Sequence, residues 1–347
     1  MRTISVLLLM LLLNGYVVKA EQWYINPYTG SDANNGTKLL PLKTINEAAR
    51  RANLEKESGP TEVILAQGVY VLTATALFNN SKYTVAGRLT IKSDIMPDDK
   101  EWSPQIMPVI VTAVPLKPGV GGDEAIGIQV ETNHVTIAGL RFTGSPDYSY
   151  KNEKELNRSY PIWRDGKTLD DLLVTQCLFA GNMDVLPLHM GVIANGHGLV
   201  LDHCVFFNCK NPVVFWKADG NSYRNAMRYC LVYGCYFSGV WTTEDTNEDF
   251  EFHHNIIANS RTAWIRENNT HRQYRIHDCI FTNNINLAGY GAGAAGRGTV
   301  TSTDFLQMDH VITTGTIQLE MDQSKRNYLQ LAEGSFGSEI RAGLFKK

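Results

Sequence analysis

Four of the six tryptophans in this 347-residue chain lead directly into charged residues. Trp163 opens "WRDG", Trp216 "WKADG", Trp241 "WTTED" and Trp264 "WIREN". Arg164, Lys217 and Arg266 stand one or two places after a tryptophan, and Asp165, Asp219, Glu244, Asp245 and Glu267 two to four. The C–H face of a sugar ring stacks on an aromatic surface, so Trp163, Trp216, Trp241 and Trp264 are candidate platforms for a glycan. The charges beside them suit two reactions. In β-elimination on a uronic-acid polymer, a cation neutralises the uronate while a Lys or Arg of lowered pKa removes the C5 proton. Lys217 is then the candidate base, with Arg164 and Arg266 neutralising. In glycoside hydrolysis two carboxylates share the work, and Glu244 with Asp219 or Glu267 would supply them. Asp219, Glu244 and Glu267 are also the kind of oxygen ligands that Ca²⁺ takes. The competing reading gives these charges no task beyond solvating turns.

Such residues need a frame that presents them at regular intervals. Six segments share one pattern: "VTIAGLRFTG" from Val135, "LLVTQCLFAGN" from Leu172, "LVLDHCVFFNC" from Leu199, "AMRYCLVYGC" from Ala226, "FEFHHNIIANS" from Phe250 and "YRIHDCIFTNN" from Tyr274. A hydrophobic run reaches a small or polar position held by Cys177, Cys204, Cys230, Asn255 and Cys279. Two places on stands an apolar residue (Phe179, Phe206, Val232, Ile257, Phe281), and two further on Gly or Asn. The steps between the Cys-like positions are 27, 26, 25 and 24 residues, a solenoid period. Each unit offers three short β-rich runs separated by Gly, Asn and Asp turns, and no helical period fits inside it. Three strands per turn make a parallel β-helix, with regular coils expected over about residues 130–320. "KTINEAARRAN" from Lys43 differs. Ile45, Ala48, Ala49 and Ala52 have helical spacing, and Thr44 with Glu47 reads as a capping box. A helix over about residues 43–56 would plug the open end of the first coil.

The stretch "WYINPYTGSDANNGTKLLPLKTINEAARRAN", followed by "GPTEVILAQGVYV", resembles the opening of many secreted right-handed parallel β-helix proteins. Together with the repeat, the chain resembles the pectin-lyase-like superfamily over nearly all of its length after residue 20. The resemblance implies an all-β fold: a single-stranded right-handed parallel β-helix with a short N-terminal capping α-helix. It also implies that the third turn of each coil and the strand after it line a substrate groove. It selects no activity, since the superfamily holds polysaccharide lyases, glycoside hydrolases, epimerases, adhesins and proteins without known chemistry. A carbohydrate-active enzyme acting on a polysaccharide is expected, a lyase ahead of a hydrolase. A non-catalytic glycan-binding or surface protein is the competing class. In that groove-lining strand, Ala263 and Ile265 alternate with Trp264 and Arg266, and Val240 and Thr242 with Trp241. Placing the smaller residues inside turns the tryptophans outward.

The remaining features bound the setting. Arg2 and the apolar run Val6–Leu13 read as a signal peptide over residues 1–20, cleaved after Ala20, which predicts a secreted or periplasmic protein and one domain over residues 21–347. No other run is apolar and long enough for a transmembrane helix. A net charge of −3 offers no basic field for nucleic acid, and a monomer is expected. "VLDHCVFFNC", Val200 to Cys209, gathers Asp, His and two Cys, but the repeat makes it one rung of a scaffold. Cys204 joins Cys177, Cys230 and Cys279 in one column, and Cys209 pairs by position with Cys235. Side chains stacked about 4.8 Å apart favour buried thiols, while a Cys209–Cys235 bridge stays open. His203, His253, His254, His277 and His310 fall at or beside turns and are read as turn residues rather than zinc ligands.

Overall fold

The computed structural model describes residues 20–57, 59–119, 122–146, 158–182, 184–243, 245–247, 249–267, 272–291 and 299–347; apart from Ala20, the expected signal peptide lies outside the described residues. Each regular coil runs through three short strands. The first two, such as Leu199–Asp202 and Val205–Phe207, flank a sharp turn. The turn residue is Gln176, His203, Tyr229, His254, Asp278 or His310 in successive coils, with φ between 49° and 53°. Asp and His enter this left-handed region more readily than most side chains, which explains their recurrence beside the Cys column. Parallel stacking of these strand pairs builds a seventeen-stranded sheet. The third strands build a second sheet through Arg158–Arg164, Leu188–Ala194, Cys209–Phe215, Val240–Thr242 and Thr262–Glu267.

In-register stacking puts like beside like. Phe142, Phe179 and Phe206 pair across adjacent strands. Their rings stack 4.8 and 4.7 Å apart inside the solenoid. All six cysteines are buried and free, so Cys209 and Cys235 are not bridged. Asn255 takes the cysteine position in its coil because its amide is fully used: Oδ1 accepts the Cys230 N–H at 2.9 Å and Nδ2 donates to the Met227 carbonyl at 2.7 Å.

The N-terminal helix α1 spans Ile45–Leu54 and buries Ile45, Ala48, Ala49 and Ala52. Thr44 caps it, its hydroxyl accepting the Glu47 N–H at 3.1 Å. The reciprocal half of the capping box differs from expectation. Glu47 pairs with Arg50 and Arg51, and Asp32 accepts the Thr44 N–H at 2.9 Å instead.

At the far end only Leu306–Ile312 joins the wide sheet, pairing with Tyr274–Thr282. The chain then leaves the solenoid and folds back over the outer face of the wide sheet. Ile317, Leu329, Ile340 and Leu344 cover the outward residues Leu178, Val205, Leu231, Ile256 and Ile280. Arg326 lies between the rings of Trp102 and Phe345, 5.6 and 5.1 Å from their centroids, and donates to the Pro97, Asp99 and Trp102 carbonyls. Lys346 closes the strap on Asp202 at 2.7 Å. The coils expected to about residue 320 thus end with the strand Leu306–Ile312, and a covering segment follows. The Gly-rich stretch after Gly289 begins as strand, since Asn286–Gly291 extends the second sheet.

Candidate functional site

The candidate residues lie on the third strands and in the turns after them, so the register of the second sheet decides which of them face outward. Trp163 stands beside Ile193, Ile193 beside Val214, Val214 beside Trp241 and Trp241 beside Ile265. This outward column joins Tyr160 and Met190 in an apolar cluster separate from the solenoid interior. Trp163 and Trp216 are half-buried, whereas Trp241 is buried. Trp216 meets Trp241 edge-on at 6.2 Å, and Tyr160 meets Trp163 edge-on at 5.6 Å.

Trp264 does not belong to this column. It pairs with Val240 rather than Trp241 and points into the interior, where it is fully buried. Phe250, Phe252 and Tyr274 surround it at 5.6, 4.8 and 5.3 Å between centroids, and its Nε1 donates to Thr242 Oγ1 at 3.1 Å. The outward reading of Trp264 is thus corrected. Alternation tells which residues share a face, not which face is inside, and Ile265 on the other side is as apolar as Ala263.

The one-residue offset also turns two cations around. Arg164 and Arg266 lie in an inward column with Ala194, Phe215 and Thr242, and neither side chain is exposed. Arg164 Nε donates to the Asn195 carbonyl at 2.6 Å, and its two terminal nitrogens find no partner. Burial pushes its pKa down to about 9 against the opposing charges of Asp170 and Asp171. Arg266 Nη1 donates to the Arg272 carbonyl, and its guanidinium packs 5.6 Å from the Phe305 centroid. Four coil steps, roughly 19 Å, separate the two arginines. They face away from the tryptophan platform and do not converge on it.

Lys217 is half-buried at the turn after Trp216, its Nζ 5.8 Å from the Trp216 ring centroid. Asp219 is exposed, Asp165 is half-buried and Glu267 is buried. Asp245 Oδ2 accepts the Ala218 N–H at 3.3 Å. Glu244 lies outside the described residues. Asp219 and Glu267 sit two coils apart, roughly 10 Å along the solenoid. Among the described residues no three His, Cys, Asp or Glu side chains are grouped to hold a metal ion.

The turn also contains groups that the tryptophan pattern passes over. Asn195 Nδ2 donates to Asp165 Oδ1 at 3.1 Å, while its own Oδ1 has no partner. His197 is buried, stacks on Tyr223 at 4.3 Å and has an unpartnered Nδ1. Burial holds its pKa below the usual value, opposed by Asp170. Gly196 N–H donates to the Lys217 carbonyl at 2.9 Å, which sets this turn against that of Lys217. The signal in the sequence was "NGHG". Gly196 has φ 85°, and a Cβ there would stand 2.2 Å from the Leu169 carbonyl oxygen, so the turn holds His197 between two obligatory glycines.

No family model matches the chain, and no curated protein matches it by sequence. Solved structures do match. Pectate lyase Pel9A superposes with a TM-score of 0.53 at 10% identity, covering 92% of this chain and 91% of that one. The GH136 lacto-N-biosidase from Eubacterium ramulus superposes with a TM-score of 0.52 at 9% identity, covering 84% of this chain and 68% of that one. At such identities the likeness concerns architecture alone. By its coil register and these superpositions, the chain has a right-handed parallel β-helix fold, the architecture it shares with that pectate lyase.

Proposed function

We propose that this protein is a secreted, monomeric carbohydrate-active β-helix protein that binds a polysaccharide along the outer face of its second sheet and cleaves a uronic-acid polymer there by β-elimination, with Lys217 as the base. The reading rests on Trp216 and Lys217: a half-buried aromatic ring with an ammonium 5.8 Å from its centroid. A sugar seated on Trp216 would present its C–H edge beside that nitrogen, within reach of a proton transfer once bound. Trp163, two coils away at roughly 10 Å, would hold a second part of the same polymer. Asp165, Asn195 and His197 line the turn of neighbouring coils and would bond sugar hydroxyls. The fold shared with a pectate lyase suits a polysaccharide ligand. Among the described residues no helix is long and apolar enough to cross a membrane.

The inward burial of Arg164 and Arg266 favours a second reading, glycan binding without cleavage, because elimination requires a cation at the uronate. Hydrolysis by Glu244 with Asp219 or Glu267 remains the other enzymatic alternative. One experiment separates the three. The protein is incubated with pectate, alginate and glycosaminoglycans, with and without Ca²⁺. Ultraviolet absorbance from unsaturated uronate, lost in Lys217→Met, is the expected result. Reducing ends without absorbance would replace the lyase by a hydrolase. Binding with neither would leave the module, and absence of binding to every polymer would refute the site.

A further inference from the structure

The C-terminal strap borders an open cavity on the side of the wide sheet. It has a volume of about 820 Å³ and lies between residues 327–334 and the returning stretch 341–347. That size falls in the range of about 300–1,000 Å³ usual for small-molecule sites. His203 and Tyr229, from successive turns, form one wall. They stack at 4.7 Å, and His254 covers the second face of Tyr229 at 4.8 Å, so the tyrosine presents an edge and not a platform.

Two groups on the other walls lack partners. Gln330 is 4% exposed, and its Oε1 accepts the Leu344 N–H at 2.8 Å, which fixes the amide. Its Nε2 makes no hydrogen bond. A buried donor left unmade costs about 1–3 kcal/mol, a cost that a ligand oxygen would remove. Arg341 is exposed on the wall, and its guanidinium forms no hydrogen bond or ion pair among the described residues. The neighbouring Lys346 is committed to Asp202. Glu333 is the single carboxylate among the lining side chains.

We propose that this cavity binds a small carboxylate that also carries hydroxyl groups, the chemistry of a free sugar acid. The Arg341 fork takes the carboxylate, Gln330 Nε2 donates to a ligand oxygen and Glu333 accepts from hydroxyls. The site stands apart from the groove on the second sheet and does not depend on the chemistry proposed there. An inorganic anion would engage the lining cations Arg341 and Lys347 but give Glu333 no hydroxyl, and a neutral sugar would leave Arg341 unpaired.

The test is calorimetric titration of the full chain with D-galacturonate, D-galactose and inorganic phosphate, run in a Trp216→Ala background to remove the groove. Galacturonate should bind at least about tenfold more tightly than either of the others. Arg341→Ala and Gln330→Glu should each weaken it about tenfold, Arg341→Ala with unchanged thermal unfolding and Gln330→Glu with a lowered unfolding temperature because its carboxylate is buried, and Arg341→Lys should fall between. Equal binding of galacturonate and galactose, or of galacturonate and phosphate, would overturn the proposal. So would wild-type affinity in both Arg341→Ala and Gln330→Glu.

Discussion

Replacing Trp264 by Ala tests the register on which the site description rests. The ring is fully buried, touches Phe250, Phe252 and Tyr274, and donates to the Thr242 hydroxyl, itself without exposure. Truncating a buried tryptophan costs about 3–5 kcal/mol through lost contacts and the cavity left behind. The orphaned Thr242 hydroxyl adds about 1 kcal/mol. The expected loss is therefore about 4–6 kcal/mol. In a solenoid each coil leans mainly on its neighbours, so the loss should be concentrated locally. Hydrogen exchange read by mass spectrometry should show protection falling most in Thr262–Glu267, Val240–Thr242 and Asn286–Gly291, with urea unfolding giving the total. Trp216→Ala should behave oppositely, costing about 1 kcal/mol or less in stability and weakening polysaccharide binding about tenfold. A Trp264→Ala loss under about 1 kcal/mol with unchanged exchange in those strands would refute the inward assignment. It would restore a continuous outward row of tryptophans.

Other outcomes follow from the same geometry. Burial alone would raise the Asp202 carboxyl, but hydrogen bonds from His203 and Lys346 overcome it and hold it well below the usual carboxylate range. A depressed carboxyl stabilises above its unfolded pKa of about 4 and loses that stabilisation as pH falls toward the folded value. The C-terminal strap should therefore become more susceptible to protease as pH drops below about 4, and Asp202→Asn should flatten that dependence. Lys346→Ala, at a partly exposed ammonium, should cost about 1 kcal/mol or less at neutral pH, read by exchange in the strap. Thiol titration should find no reactive cysteine in the native protein and six after denaturation; four would indicate a bridge. Thr44→Ala should destabilise α1 by about 1 kcal/mol, seen as faster exchange at Glu47.

The coils were legible in the sequence because stacking forces each column to repeat its residue type. Cys177, Cys204, Cys230 and Cys279 mark one such column. His203, His254 and His310 mark the left-handed turn next to it. Thr44 and the alanines after it likewise announced α1, since a cap and a helical stripe are local patterns. The site was legible only in part. Trp163, within a second-sheet strand, and Trp216, just after one, lie on its outer face as the alternation suggested. Trp264, Arg164 and Arg266 faced the other way, because a shift of one residue changes the face of a strand.

What the sequence determined alone was therefore the period, the strand positions, the turn residues and the capping helix, all properties of short segments repeated about every 25 residues. Which face of the second sheet is interior was decided only by the tertiary structure. Val192, Val213 and Val240 on one side and Ile193, Val214 and Ile265 on the other are equally apolar, so hydrophobicity could not choose between them. The same holds for the outer face of the wide sheet, whose Leu178, Val205, Leu231, Ile256 and Ile280 are buried by a strap that begins more than thirty residues further along the chain. Alternation is a local property, whereas inside and outside are assigned by contacts among segments far apart in sequence.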